Sequence, residues 1–240
     1  MKLRSIYSPN FDHKKRSRKS IKFIIIHYTG MQSERESLIR LCNPKSKVSC
    51  HYFIGKNGKI LKLVDDYFIA WHAGKSYWKN YKNLNQNSIG IELANNGHKF
   101  GYTNFKKKQL SSLIKISKIL IKKYKIKREN VIGHSDIAPL RKNDPGEKFP
   151  WRELANNKIG IWHNYQNKEL AKSRKVKISL KFKLIFIKNL KKIGYYFSAF
   201  KKTNASKIVK AFQRHYRQEL INGIIDKECL LIGNNLSKKL

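Results

Sequence analysis

The chain is 240 residues long and 40% hydrophobic, with a formal net charge of +38. That length suits one substantial domain plus a small one, and that hydrophobic content excludes a disordered chain. The positive charge invites a polyanion such as nucleic acid, an acidic membrane surface or a carboxylate-bearing polymer, yet it is spread along the whole chain beside abundant Ile and Asn, so A/T-rich codon usage accounts for much of it.

Residues 1–9 contain no apolar signal core, so the expected compartment is cytoplasmic, with a periplasmic location or secretion by an unrecognised route as the alternative. Residues 1–20 read as a basic lead-in. Residues 21–28 then form a β-branched run bounded by Thr29-Gly30, the pattern of a buried strand, and far too short to span a bilayer. Residues 33–41 predict a short helix with Ser33 as N-cap and Glu36 three residues on. Residues 51–54 and 60–64 flank Asn57-Gly58, a two-residue hairpin signal. Residues 88–93 predict another strand. Residues 105–125 predict the longest helix, with Leu110, Leu113, Ile114, Ser117, Leu120, Ile121 and Tyr124 on one face and lysines on the other. Val131-Ile132-Gly133 predicts a short strand that hands over to a Pro-containing loop. Strands interleaved with helices point to an α/β domain over residues 21–166. The polar stretch 167–177 reads as a linker. Residues 178–240 carry three helical segments, roughly 178–192, 205–220 and one beginning near Asp226, which make a small all-α domain. Cys42, Cys50 and Cys229 form no even, regularly spaced set, so no disulfide framework is expected.

Four polar residues stand where buried strands end or are interrupted. His27 closes the first strand, Glu92 lies within Ser88-Ile89-Gly90-Ile91-Glu92-Leu93, His134 follows Val131-Ile132-Gly133, and Asp144 lies ten residues later. Two imidazoles and one carboxylate are a catalytic zinc set that leaves the fourth tetrahedral position for water. Taken singly, each residue has a plainer reading: a satisfied core histidine, or a turn aspartate before Pro-Gly. Glu92 is harder to dismiss, because a carboxylate flanked by Ile91 and Leu93 must be paired, solvated in a cleft or placed near a metal.

Ile25-Ile26-His27-Tyr28-Thr29 resembles the first metal-ligand segment of the N-acetylmuramoyl-L-alanine amidase family that includes the anhydro-muropeptide amidases. Val48-Ser49-Cys50-His51-Tyr52, Ala70-Trp71-His72-Ala73-Gly74 and Asn87-Ser88-Ile89-Gly90-Ile91-Glu92-Leu93 resemble its next three blocks in order. Gly133-His134-Ser135-Asp136-Ile137-Ala138-Pro139 and Arg141-Lys142-Asn143-Asp144-Pro145-Gly146 resemble the last two. The resemblance implies a mixed β-sheet flanked by helices around a zinc cleft. It implies Zn2+ held by His27, His134 and Asp144, Glu92 as the catalytic acid/base, and Lys142 as a stabiliser of charge on the scissile carbonyl. Trp71, His72 and Arg141 are the expected substrate contacts, while His51 and Cys50 read as strand packing and core. The reaction implied is hydrolysis of the amide between N-acetylmuramic acid, intact or 1,6-anhydro, and L-alanine of the stem peptide.

Leu190-Lys191-Lys192-Ile193-Gly194-Tyr195, Ala211-Phe212-Gln213 and Gly223-Ile224-Ile225-Asp226 resemble a three-helix peptidoglycan-binding module. The expected partners are therefore peptidoglycan or muropeptide fragments, with no specific nucleic acid, no membrane span, and a monomeric chain. A non-catalytic peptidoglycan-recognition protein on the same fold is the alternative. It would be favoured by loss of a ligand or of Glu92, and all five catalytic-set residues are present.

Overall fold

The computed structural model describes residues 4–197 and 202–240. A six-stranded sheet is built from Arg4–Ser5 (β1), Phe23–Tyr28 (β2), Tyr52–Ile54 (β3), Ile60–Lys62 (β4), Ser88–Leu93 (β5) and Val131–Gly133 (β6), in the order β1-β4-β3-β5-β2-β6. Every pairing is parallel except the β3–β4 hairpin, so the sheet is mixed. The hairpin turns through Asn57-Gly58 with Gly58 at φ +85°, a backbone conformation that favours glycine. Two-residue ladders, Phe11–Asp12 with Ile69–Ala70 and Tyr77–Trp78 with Tyr81–Lys82, lie apart from the main sheet.

β2 runs near the middle of the sheet and is buried on both faces, which explains its unbroken apolar run. Successive side chains point to opposite faces. Ile24 and Ile26 join a cluster with Leu110, Leu113, Ile116 and Leu120 of helix Lys107–Tyr124. Phe23 and Ile25 join a second cluster made largely by the C-terminal helices. The long helix is set a little differently from the expected face: Gln109 and Ile116 are buried, whereas Ile114 and Ile121 are half-exposed. Gln109 earns its burial by donating to the carbonyls of Ile54 (3.0 Å) and Ala94 (3.1 Å).

The α-helices among the described residues are α1 (Glu34–Cys42), α2 (Lys107–Tyr124), α3 (His134–Ile137), α4 (Trp151–Asn156), α5 (Asn167–Ala171), α6 (Leu180–Ile193), α7 (Lys202–Tyr216) and α8 (Lys227–Ser237). Ser33 caps α1 by accepting from Glu36 N at 3.1 Å, and Asp226 caps α8 by accepting from Cys229 N at 2.9 Å. α7 stops at Tyr216, short of the expected 220. The next residue, Arg217, is drawn into a buried ion pair with Asp226 (2.6 Å) and Glu228 (3.3 Å), and the chain turns there.

Helices α6–α8 share one core with the sheet. Phe186, Leu190, Phe212 and Tyr216 belong to the same cluster as Phe23, Ile25, Ile132 and Ile137. Segment 167–177 contains α5 with Leu170 buried, and it hydrogen-bonds forward to the start of α8, Lys227 N to Val176 O at 2.9 Å and Glu228 N to Ser173 O at 3.2 Å. Among the described residues no helix is long and apolar enough to cross a membrane.

Candidate metal centre

The strand register sets the site. His27 pairs with Glu92 across β2 and β5, and Ile25 and Phe23 pair with Gly90 and Ser88. Paired residues of neighbouring parallel strands face the same way, so Ser88, Gly90, Glu92 and His27 share one face. β6 ends at Gly133 opposite Ile26, which delivers His134, the first residue of α3, beside His27. Asp144 returns on the loop that follows, and its carbonyl accepts from Ser135 N at 2.8 Å.

His27 Nδ1, His134 Nδ1 and Asp144 Oδ2 converge. The two nitrogens lie 2.9 Å apart, and they lie 3.1 and 3.0 Å from the carboxylate oxygen. Among the described residues this is the group of three whose ligand atoms all lie within 4.8 Å of one another, and all three side chains are buried. Second contacts fix which nitrogen is free to ligate. His134 Nε2 donates to the carbonyl of Ala73 at 3.1 Å, leaving its Nδ1 as a lone pair. His27 Nε2 lies 3.0 Å from His72 Nδ1; His72 Nε2 lies 3.1 Å from Ser88 Oγ; and Ser88 Oγ donates to Leu84 O at 2.6 Å. The terminal carbonyl can only accept, so the protons order along the chain. Ser88 gives to Leu84, His72 gives to Ser88, His27 gives to His72, and His27 Nδ1 is left bare. Gly90 makes room for this relay, because a Cβ there would lie 2.4 Å from His72 Cγ. Two bare ring nitrogens facing a carboxylate oxygen fit a divalent cation.

The charges agree with that arrangement. Burial opposes ionisation of Asp144, but the two adjacent imidazoles hold its carboxyl well below the usual range. Burial, reinforced by His134, pushes His27 down to about 4, so it is neutral. Burial pushes the Glu92 carboxyl up to about 8; the Asp144 charge adds to the rise and Lys142 opposes it. Glu92 Oε2 is buried with no hydrogen-bond partner among the described residues, an oxygen held open on the wall of the same cavity as the three ligand atoms.

These residues line an open cavity of about 550 Å³, together with Trp71, His72, Arg141 and Lys142. The Trp71 indole donates to Asp12 Oδ1 at 2.8 Å. The Arg141 guanidinium is engaged by backbone, donating to the carbonyls of Ala73 and Lys75. His51 stands outside the cavity walls, fully buried, with Nδ1 accepting from Gly90 N at 3.0 Å, and Cys50 is core. Residues 17–147, matched by the family described as N-acetylmuramoyl-L-alanine amidase, make up more than half of the chain and contain all three ligand positions, Glu92 and Lys142.

The chain belongs to the N-acetylmuramoyl-L-alanine amidase family.

The N-acetylmuramoyl-L-alanine amidase AmiD of Escherichia coli is 36% identical over 232 residues, which cover 91% of this chain and 83% of that protein. A solved complex of AmiD from E. coli with the substrate anhydro-N-acetylmuramic acid-L-Ala-D-γ-Glu-L-Lys matches with a TM-score of 0.82 at 35% identity, covering 95% of this chain and 93% of that one. The 1,6-anhydro-N-acetylmuramyl-L-alanine amidase AmpD of Haemophilus influenzae is 32% identical over 172 residues, 64% of this chain and 91% of that protein.

Several residues that shape this amidase's site carry no sequence signal strong enough to single them out. Tyr28 OH bonds His98 Nδ1 at 2.8 Å, and His98 Nε2 bonds Glu147 at 3.1 Å, forming one rim of the cavity from three distant segments. Asp136 is buried two residues after His134. It accepts from Gly133 N (2.8 Å), Tyr195 OH (2.6 Å) and His215 Nδ1 (2.7 Å), so the C-terminal helices grip the turn that carries a ligand. Ser88 and Gly90 lie on the Glu92 face of their strand by simple alternation.

Proposed function

We propose that this amidase hydrolyses the amide between N-acetylmuramic or anhydro-N-acetylmuramic acid and L-alanine, with zinc held by His27, His134 and Asp144. The observation that carries the reading is the convergence of two bare Nδ1 atoms and one carboxylate oxygen beside Glu92, whose Oε2 has no partner among the described residues. Nitrogen and oxygen donors in a three-ligand set suit catalytic zinc. Zinc, when bound, supplies Lewis acidity, which brings the pKa of an adjacent water from about 16 to roughly 7 and polarises a carbonyl.

The chain's own groups supply the rest. Glu92 shares the sheet face with His27 and keeps an oxygen free; a cation held by the adjacent ligands would draw its carboxyl down from about 8 to the ionised form, which can take the proton of the attacking water and return it to the leaving amine. The Lys142 ammonium lines the same cavity from the loop that carries Asp144, where it can stabilise the oxygen that gains charge. His72 and Ser88 hold the His27 ring in its ligating tautomer, and Arg141 holds the Ala73–Lys75 backbone that orients His134. The likeness of the C-terminal segment to a peptidoglycan-binding module supports a further role for α6–α8 in retaining polymer near the cleft.

The test is metal content and dependence. The purified chain is expected to hold about one zinc, to lose activity on chelation and to regain it with added zinc. Full activity from demonstrably metal-free protein would contradict the reading.

A further inference from the structure

A second cavity, of about 300 Å³, opens between loop 139–143 and helix α7. It shares Arg141, Lys142 and Asn143 with the wall of the metal cavity, so the two adjoin across that loop. Five of its eight lining residues are cationic, Arg141, Lys142, Lys207, Lys210 and Arg214, and none is acidic. The chain's 53 Lys and Arg in 240 residues would place fewer than two among eight.

The cations contributed by α7 are also uncommitted. Among the described residues Lys207 Nζ reaches the Leu140 carbonyl alone, at 3.5 Å. Lys210 and Arg214 have no ion-pair partner among the described residues, although Arg214 is half-buried. The acids that act on Arg214 at range are already occupied: Glu147 by His98 at 3.1 Å, and Asp136 by Tyr195 and His215. A half-buried guanidinium without a carboxylate is open to one from outside.

The charge distribution of the substrate says which end would lie here. This step rests on the amidase reading. The muramic side of the scissile bond is uncharged once its carboxyl is in the amide. The peptide side keeps free carboxylates, because a γ-linked glutamate retains its α-carboxylate and the stem ends in another. An extended dipeptide spans at most about 7 Å, so the first of these carboxylates lies within one residue's reach of the scissile carbonyl. We propose that the cavity between loop 139–143 and α7 is a carboxylate subsite that receives the stem peptide, with Lys207, Lys210 and Arg214 pairing its negative charges. The leaving amine then departs toward α7, and the sugar occupies the opposite end of the metal cavity.

The experiment compares steady-state kinetics of the full-length zinc-loaded protein with Lys207→Glu/Lys210→Glu and with Lys115→Glu/Lys122→Glu. The second pair is exposed on α2 and lowers net charge equally, away from the cavity. The substrates are an anhydromuramoyl tripeptide with free carboxylates and two analogues, one amidated at the glutamate α-carboxyl and one at the C-terminus. The expected result is a KM raised about tenfold by the α7 pair alone, with kcat held, on the free-acid substrate. The analogue lacking the recognised carboxylate should show a raised KM in the wild type and no further rise in the variant, which identifies the carboxylate bound. Equal effects of the two double variants, or of one variant on all three substrates, would overturn the subsite while leaving the amidase reading intact. Failure of the wild type to cleave any of the substrates would overturn both.

Discussion

Glu92 is the residue whose chemistry is least compatible with an ordinary structural role. It interrupts an apolar strand, is pushed up to about 8 by burial, and leaves Oε2 without a partner among the described residues. An unpaired buried acceptor costs about 1–3 kcal/mol, a cost that a cation or water beside it would offset. Glu92→Gln keeps the shape and removes the proton acceptor. It is expected to retain zinc and melting temperature while losing about 10²–10⁴-fold in kcat. Unchanged kcat would move the proton transfer elsewhere, and loss of zinc would make Glu92 part of the metal's own support.

At the scale of elements, the site is a consequence of register. The three neighbouring parallel strands β5, β2 and β6 bring Glu92, His27 and His134 to one end of the sheet, and β5 also supplies Ser88 and Gly90 beneath His72. The relay from Leu84 through Ser88 and His72 to His27 predicts a graded effect. His72→Asn keeps an acceptor near the former Nδ1, and His72→Phe does not. Chelator competition should show zinc affinity falling about 10–100-fold in the Phe variant, with most of it recovered in the Asn variant. Equal affinities in the two variants would remove His72 from the account of tautomer control. Much of this level was legible in the sequence. The β2 run, the Asn57-Gly58 turn and the Ser33 cap each rest on local chemistry. The ligand residues stood out as polar groups at the ends of apolar strands. What was not legible depended on distant partners. Arg16 sits in the basic lead-in, yet it is buried and donates to the carbonyls of Asp66 and Asn85. Asp136 draws two of its partners, Tyr195 and His215, from 59 and 79 residues away, and two-residue strands such as β1 are too short to show a period.

For the whole molecule, the shared core of sheet and C-terminal helices decides how the chain can be divided. Phe23, Ile25 and Ile132 pack in the same cluster as Phe186, Leu190 and Phe212, and Asp136 takes two of its partners from residues beyond 190. A chain ending near residue 170 would expose that face of the sheet. Its melting temperature is expected to fall by about 10 °C or more, because each kcal/mol shifts a domain of this size by about 2–4 °C and large core side chains are worth several kcal/mol each. Scanning calorimetry of the two chains checks it; equal melting temperatures would show that the sheet stands without the helices. Acid should act on the same core. Burial holds His27 and His163 down to about 4, His51 to about 3, and His72 well below its ordinary value. A depressed folded-state pKa means that the unfolded chain binds more protons. The stability these groups contribute is therefore complete above about 6.5 and is lost as pH falls toward their folded values. Glu92, raised to about 8, acts in the opposite sense, but it is one group against four. The metal-free protein should melt lower at pH 5 than at pH 7, and a higher melting temperature at pH 5 would contradict the neutral buried histidines. The most direct test of the central claim is mass spectrometry of the products from a purified muropeptide. The account predicts a free stem peptide beginning at L-alanine and a sugar with a free lactyl carboxyl, formed only when zinc is present. Cleavage at a glycosidic bond or within the peptide, or the same products after complete chelation, would contradict it.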